Sequence, residues 1–583
     1  MSGFTWHPIH KMALFKDTTF GFLMRNISGG RLFPYEDYHN EELRESWFNA
    51  GQIKDEESSD DEEKNGAKGK YLLIDFLEND PDNPLNWSTG KKCFVTFCLC
   101  FLTLSIYIGS AIYTSGLPFL TEAFGVSTEV VTIGLTLYVL GYGIGPMIWS
   151  PLSEIPQIGR NPIYIGTLVV FVFFNFGVVY AKNIGMLLAF RFLTGFFGSP
   201  VLATGGASLA DIFPPAKRAY ALSIYGIANI MGPTIGPVVG NWAAQFEGWT
   251  WPIWILIWIS GPCLVFLIFF FPETSANNIL YRRTNRLRKW QEKNNGLEGK
   301  PYDKIKCQPE IMGENMSGAD MAKMTLVKPF SLTLTEPIVF ALNLYIALIY
   351  AVLYCWLESI PIAFEQVYGF SLGITGLCYL GICVGGLICI PPYWYYNYYY
   401  VENRFSEDGT LRPEIRLEPA LVTCFALPIC LFMFGWTARV DVHWIVPIIA
   451  TAFFTIGAFG AFSGVLNYLG DAYPAEFASI SAGNDFFRSC FGAAFPLFAR
   501  QMFSTLGLNW GNSLLGFLTI VFIPVIFALW WKGDRLRARS KNATQEYLSK
   551  KDEGKKNKNN DGEKSDDEKT QVGSDEDKEK DNA

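Results

Sequence analysis

Apolar positions in this chain do not alternate with polar ones; they run on. Stretches of about 20 residues recur with scarcely a charge, each long enough at ~1.5 Å per residue to cross the ~30 Å hydrocarbon layer of a bilayer. Twelve are predicted, at roughly residues 92–114, 129–151, 162–181, 184–209, 219–243, 250–271, 337–361, 372–393, 418–438, 444–469, 479–503 and 511–531. Lipid offers no partner to an exposed N–H or C=O, and the runs are too long and too uniform for barrel strands, so they are read as helices. The expected fold class is an all-α membrane protein with twelve transmembrane helices.

A polar connection, residues 272–336, separates span six from span seven and divides the helices six and six. Two bundles are therefore expected, over 92–271 and 337–531, joined by a cytoplasmic linker. Residues 1–91 carry the acidic run DEESSDDEEK from Asp55 and show no basic, apolar and cleavable leader pattern. They are expected to form a largely disordered cytoplasmic region, as is the Lys-, Asp- and Glu-rich tail 532–583. Lys and Arg gather on one set of turns, including Arg160, Lys217, Arg218, Arg282 to Lys289, Arg404, Arg412 and Arg416. That asymmetry puts both termini in the cytosol.

Composition narrows the function class. The chain is 50% hydrophobic and 17% charged, and its net charge of −8 lies mostly in the tails, so no nucleic-acid role is expected. Eleven of the twelve cysteines fall in predicted spans, Cys307 falls in the linker, and no C-x-x-C occurs. With four scattered histidines, neither a metal site nor a cofactor is expected.

Two segments half a chain apart repeat one pattern. SLADIFPPAKRAYA from Ser208 and YLGDAYPAEFASIS from Tyr468 both read Asp, two residues, Pro, at Asp211 and Asp471. Internal duplication of this kind builds secondary transporters, with a substrate site near the midplane between the halves. Charges inside spans are the next lead, because one at the bilayer centre costs at least ~2.5–3.5 kcal/mol. Arg191 lies in span four and Glu358 in the outer part of span seven. Glu358 suits proton coupling, with Tyr350, Tyr354 and Trp356 as flat walls of a substrate cavity. The plain alternatives are an arginine that only ties helices together and a solvated glutamate in an interfacial aromatic belt. Asn484, Asp485 and Arg488 form a polar group near the start of span eleven, where the last two are spaced to pair on one helix face.

Span five carries Gly226, Gly232, Pro233, Gly236, Pro237 and Gly240; small residues at four-residue intervals allow close helix approach. Its GPTIGPVVG resembles the antiporter motif of the major facilitator superfamily. SPLSEIPQIGRNPIYI resembles that superfamily's loop after span two, with Glu154, Gly159 and Arg160 at matching positions and two extra residues between Glu154 and Gly159. The resemblance implies a cytoplasmic charge latch of Glu154, Gly159, Arg160 and Asp211, and a proton-transfer role for Arg191 in RFLTGFFGSP. DNPLNW, SAIYTSGLP, GNDFFRS and the setting of Glu358 are similar to fungal twelve-span drug:proton antiporters, nearest the benomyl, fluconazole and caffeine resistance permeases.

The chain is thus expected to be a monomeric, proton-driven exporter of lipophilic compounds in a fungal plasma membrane, and not an enzyme. Its expected partners are protons, lipophilic small molecules and lipid. Two alternatives stand: a transporter of one metabolite such as a polyamine, and a nutrient sensor, which would need foldable tails.

Overall fold

The computed structural model describes residues 16–35, 37, 40–55, 70–294, 301–314, 323, 326–406, 411–474, 476–540 and 542–543. Eleven of its helices have membrane length and composition: Thr89–Phe124, Thr128–Glu154, Arg160–Val179, Ile184–Ile212, Pro215–Glu247, Trp251–Phe270, Pro337–Val367, Leu372–Arg404, Pro413–Thr437, Ile445–Ala472 and Ser479–Arg537. The last is two helices run together. Gly507 breaks it with φ 75° and ψ 166°, a conformation open to glycine and strained for other residues, so the helices number twelve. Spans one to twelve below follow this order.

The first and last described residues, near Thr18 and Asn542, lie with the described part of the linker on one face of the bundle, called here the terminal face. Thr18 bridges to Pro272 at the end of span six. Asn542 donates to Glu336 at the start of span seven. The duplication is visible as chemistry on that face: Arg160 pairs with Asp211 at 3.1 Å in the first half, and Arg416 pairs with Asp471 at 2.8 Å in the second. Each repeated aspartate thus joins the end of its own helix to an arginine near the start of the preceding one.

Span five locks onto span one. A Cβ at Gly232 would lie 2.3 Å from that of Tyr107, one at Gly236 would lie 2.7 Å from the Ile112 nitrogen, and one at Gly240 would lie 2.6 Å from the Ser115 hydroxyl. Only glycine permits this backbone approach. Gly226 differs, because nothing lies within 4 Å of its would-be Cβ.

The expectation of a largely disordered 1–91 does not hold for its described residues. Helices α1 (Thr19–Ile27) and α2 (Glu41–Ala50) are followed by strands β1 (Gln52–Asp55) and β2 (Lys70–Ile74). β2 pairs antiparallel with β1 and parallel with β3 (Lys304–Cys307) of the linker. Trp47, Leu72, Ile74, Leu280, Leu287, Tyr302, Ile305 and Cys307 make a core separate from that of the membrane bundle. Beside it Arg283, fully buried on the linker helix Ala276–Asn294, reaches Asp80 at 2.5 Å and Asp82 at 2.9 Å beneath the Trp47 ring. The apolar runs involved are each too short to fold alone; they make a core only because segments some two hundred residues apart meet. Most of the acidic run after Asp55, and of the tail after Ser540, lies outside the described residues.

Candidate functional site: a tyrosine layer between two carboxylates

The two bundles meet through spans two and eleven and through spans five and eight. Thr136 donates to the Ala493 carbonyl at 2.9 Å. Farther from the terminal face, the Gln245 side chain accepts from the Gly373 amide at 2.7 Å and Asn241 donates to the Leu372 carbonyl at 3.1 Å. Toward the terminal face the halves part around a cleft lined by Tyr225, Gly226, Asn229, Phe462, Asn467 and Asp485 among others.

Tyrosines close the cleft's inner end. Span seven runs from the terminal face at Pro337 toward the opposite face, so Tyr350, Tyr354 and Glu358 follow one another at four-residue intervals along one side of it. The Tyr354 hydroxyl bonds the Tyr142 hydroxyl at 2.8 Å and donates to the Ser110 hydroxyl at 3.0 Å, joining spans one, two and seven. Tyr107 packs edge-on against Tyr142 at 5.7 Å. On the terminal-face side of this layer, Arg488 pairs with Asp485 at 2.5 Å, donates to the Tyr107 hydroxyl at 3.2 Å and lies over the Tyr350 ring at 5.0 Å.

One turn beyond Tyr354 stands Glu358, 8% exposed, with its Oε1 enclosed and accepting no hydrogen bond from the described residues. Arg500 of span eleven is the cation whose field reaches it. An enclosed carboxylate oxygen without a donor is costly to keep ionised, which is the electrostatic condition for exchanging a proton.

The other candidates are placed differently. Trp356 points away from the tyrosine layer into the second bundle: it is fully buried, donates to Asn512 at 3.0 Å and packs on Phe434 and Phe454. It therefore belongs to that bundle's core, because Tyr350, Tyr354 and Glu358 occupy the opposite side of the helix. Arg191, also fully buried, donates to the carbonyls of Gly134, Gly109 and Ser110 at 3.1, 2.9 and 3.4 Å, between the Tyr113 and Tyr138 rings. It ties spans one, two and four and pairs with no carboxylate among the described residues; the Ser110 backbone and the Tyr138 ring, which packs edge-on against Tyr142 at 6.0 Å, link it to the tyrosine layer. Asn484 donates to Asn343 at 2.9 Å inside the second bundle.

At the expected latch, Arg160 holds Asp211 and donates to Ser208 at 3.1 Å, while Glu154 stands exposed in the same groove with no ion pair of its own among the described residues. A glutamate that sequence reasoning missed completes the arrangement. Glu273, at the end of span six, accepts from the amides of Arg160 and Asn161 at 3.1 and 3.2 Å, capping the start of span three. Gly159 turns there with φ 80°, and a Cβ would meet Glu273 at 2.5 Å. The nearest signal in sequence was the F-P-E-T-S stretch closing span six.

Comparison with known proteins decides the family. The Major Facilitator Superfamily profile matches residues 99–496. The chain belongs to that superfamily. Transporter mfs1 of Schizosaccharomyces pombe is 41% identical over 91% of this chain and all of its own length. Fluconazole resistance protein 1 of Saccharomyces cerevisiae is 39% identical over 83% of this chain and 88% of its own. The cycloheximide resistance protein of Candida maltosa is 34% identical over 91% and 100%. Among solved structures, the proton:xylose symporter XylE superposes with a TM-score of 0.51 at 14% identity, covering 76% of this chain and 96% of XylE, which supports the fold alone. This superfamily member is a multi-pass membrane transporter and not an enzyme, and its relatives are fungal multidrug-resistance transporters.

Proposed function

We propose that this chain is a proton-coupled drug exporter of a fungal plasma membrane, with both termini in the cytosol. In this reading it moves lipophilic compounds such as azoles, benzimidazoles and xanthines outward against an inward proton flow. The observation that carries the reading is Glu358, a carboxylate with an enclosed, donor-less oxygen just beyond the tyrosine layer that closes the cleft. A substrate entering the cleft meets Tyr225, Phe462 and Leu466, flat or apolar surfaces suited to compounds without a fixed polar pattern. Coupling requires that proton and substrate favour different states of one molecule, and linkage makes the effect mutual. Arg191 would contribute a fixed charge that holds span one, the wall on which Tyr107 and Ser110 sit.

The fluconazole and cycloheximide resistance named for relatives supports drug as the cargo. The folded N-terminal module removes the objection that a sensor would lack foldable tails, yet those relatives favour transport.

The test is uptake by inside-out vesicles with and without an imposed proton gradient, using fluconazole, benomyl and caffeine as probes. Gradient-driven accumulation is expected from the native chain and none from Glu358→Gln at equal surface delivery. Accumulation that ignores the gradient in the native chain would overturn the reading.

A further inference from the structure

The tyrosine layer has a second carboxylate on its other side. Asp485 is 6% exposed at the inner end of the cleft; Oδ1 pairs with Arg488, and Oδ2 is enclosed and accepts no hydrogen bond from the described residues. Arg488 spans the divide between the bundles, because it belongs to span eleven and donates to Tyr107 of span one. The contact lies where the halves come closest, with a Cβ at Gly143 of span two falling 2.4 Å from that of Ser489. Asp485 is thus tied to the attachment of one bundle to the other through a single guanidinium.

We propose that Asp485 is a proton-binding coupling residue: a proton arriving from the cleft shifts Arg488 from Asp485 toward Tyr107 and so changes the hold between the bundles. The inference rests on the proton-coupled reading above and gives it a terminal-face partner to Glu358. The balance is simple. Water in the cleft delivers a proton, an O–H bond forms on the Asp485 carboxylate, and Arg488 keeps its own proton while losing its counterion. A buried guanidinium without a carboxylate takes the remaining acceptors, here the Tyr107 hydroxyl and the faces of Tyr350 and Phe462. When Asp485 ionises again, the pair re-forms on span eleven and the cross-bundle contact weakens.

Several other charged or titratable groups face this site. Arg218 of span five and Asp471 of span ten line the same cleft, and Tyr225 of span five, Tyr107 of span one and Tyr350 of span seven lie within its field. Asp471 is already held by Arg416 of span nine at 2.8 Å, which opposes its protonation, whereas Asp485 keeps one oxygen without a donor among the described residues.

The experiment reads the conformation without any drug. Spin labels at Ala207 and Leu466, on the two walls of the cleft, report its width by pulsed electron resonance in full-length protein in nanodiscs from pH 5 to 8. The native chain is expected to shift its distance populations with pH, Asp485→Asn to shift less, keeping only the part that Glu358 supplies, and Asp485→Glu to respond with its midpoint raised by about 0.4 pH units, the difference between the free acids. Three results would each overturn the inference: a native chain whose populations ignore pH, an Asp485→Asn chain that responds normally, or an Asp485→Asn/Arg488→Gln chain that regains the response, since that would make the pair purely structural. Should Asp485→Asn fail to fold, an unmoved midpoint in Asp485→Glu decides against the inference. The distance measurement needs neither drug nor gradient, so an unchanged response in Asp485→Asn is distinct from a failure of gradient-driven transport in vesicles.

Discussion

At the scale of single residues, the burial of charge separates structural from exchanging groups. Arg191 and Glu358 are both charges in spans, yet every acceptor around Arg191 is a backbone carbonyl fixed in place, while Glu358 keeps an oxygen without a donor. Arg191→Ala removes three charge-assisted hydrogen bonds from a dry site, and at about 1.5–3 kcal/mol for each bond to a charged group the bundle should lose several kcal/mol. Arg191→Lys recovers little, because one ammonium cannot reproduce the planar fork. A melting curve in detergent reads both; an Arg191→Lys protein melting like the native one would show that charge alone suffices.

At the scale of elements, span five is defined by which of its glycines touch. Gly236→Leu must push the Ile108–Ile112 backbone of span one aside, and overpacking of this kind costs about 1–3 kcal/mol. Gly226→Ala adds a methyl group to open space and should leave stability unchanged. Comparing the two variants by thermal stability and drug resistance in yeast separates helix packing from motif membership. If both are equally harmful, the glycines matter for a reason other than close approach. The even spacing of these glycines was legible in the sequence; which of them met a neighbour was not, because that depends on where span one lies.

At the scale of the whole molecule, Arg283 joins the linker to the N-terminal module. Removing one partner of a buried ion pair costs about 3–5 kcal/mol, so Arg283→Ala should open the module to protease while the twelve spans persist. Burial alone would push the Asp82 carboxyl up, but the charges of Lys16 and Arg283 outweigh it and hold it below the usual carboxylate range. A carboxylate depressed in the folded state contributes stability above its unfolded value of about 3.9, and loses it as pH falls through the lower folded value. Amide protection in β2 should therefore hold steady from pH 7 to about 5 and decline below about 4. Decline beginning near pH 6 would point to another group.

The sequence by itself determined the twelve helices, their division into six and six and the superfamily, because twenty apolar residues in lipid have one backbone solution and because the Asp-x-x-Pro repeat and glycine motifs are local strings. It also brought Asp485 and Arg488 within reach of each other, since three residues along a helix fix a shared face. Only the tertiary structure decided that Trp356 belongs to the second bundle's core, that Glu273 caps span three, and that Tyr107, Tyr142 and Tyr354 form one layer between Asp485 and Glu358. Each of these depends on contacts between residues far apart in the chain, set by how whole helices pack. The N-terminal module shows the same limit: charge composition argued for disorder, and a core shared with the linker overruled it.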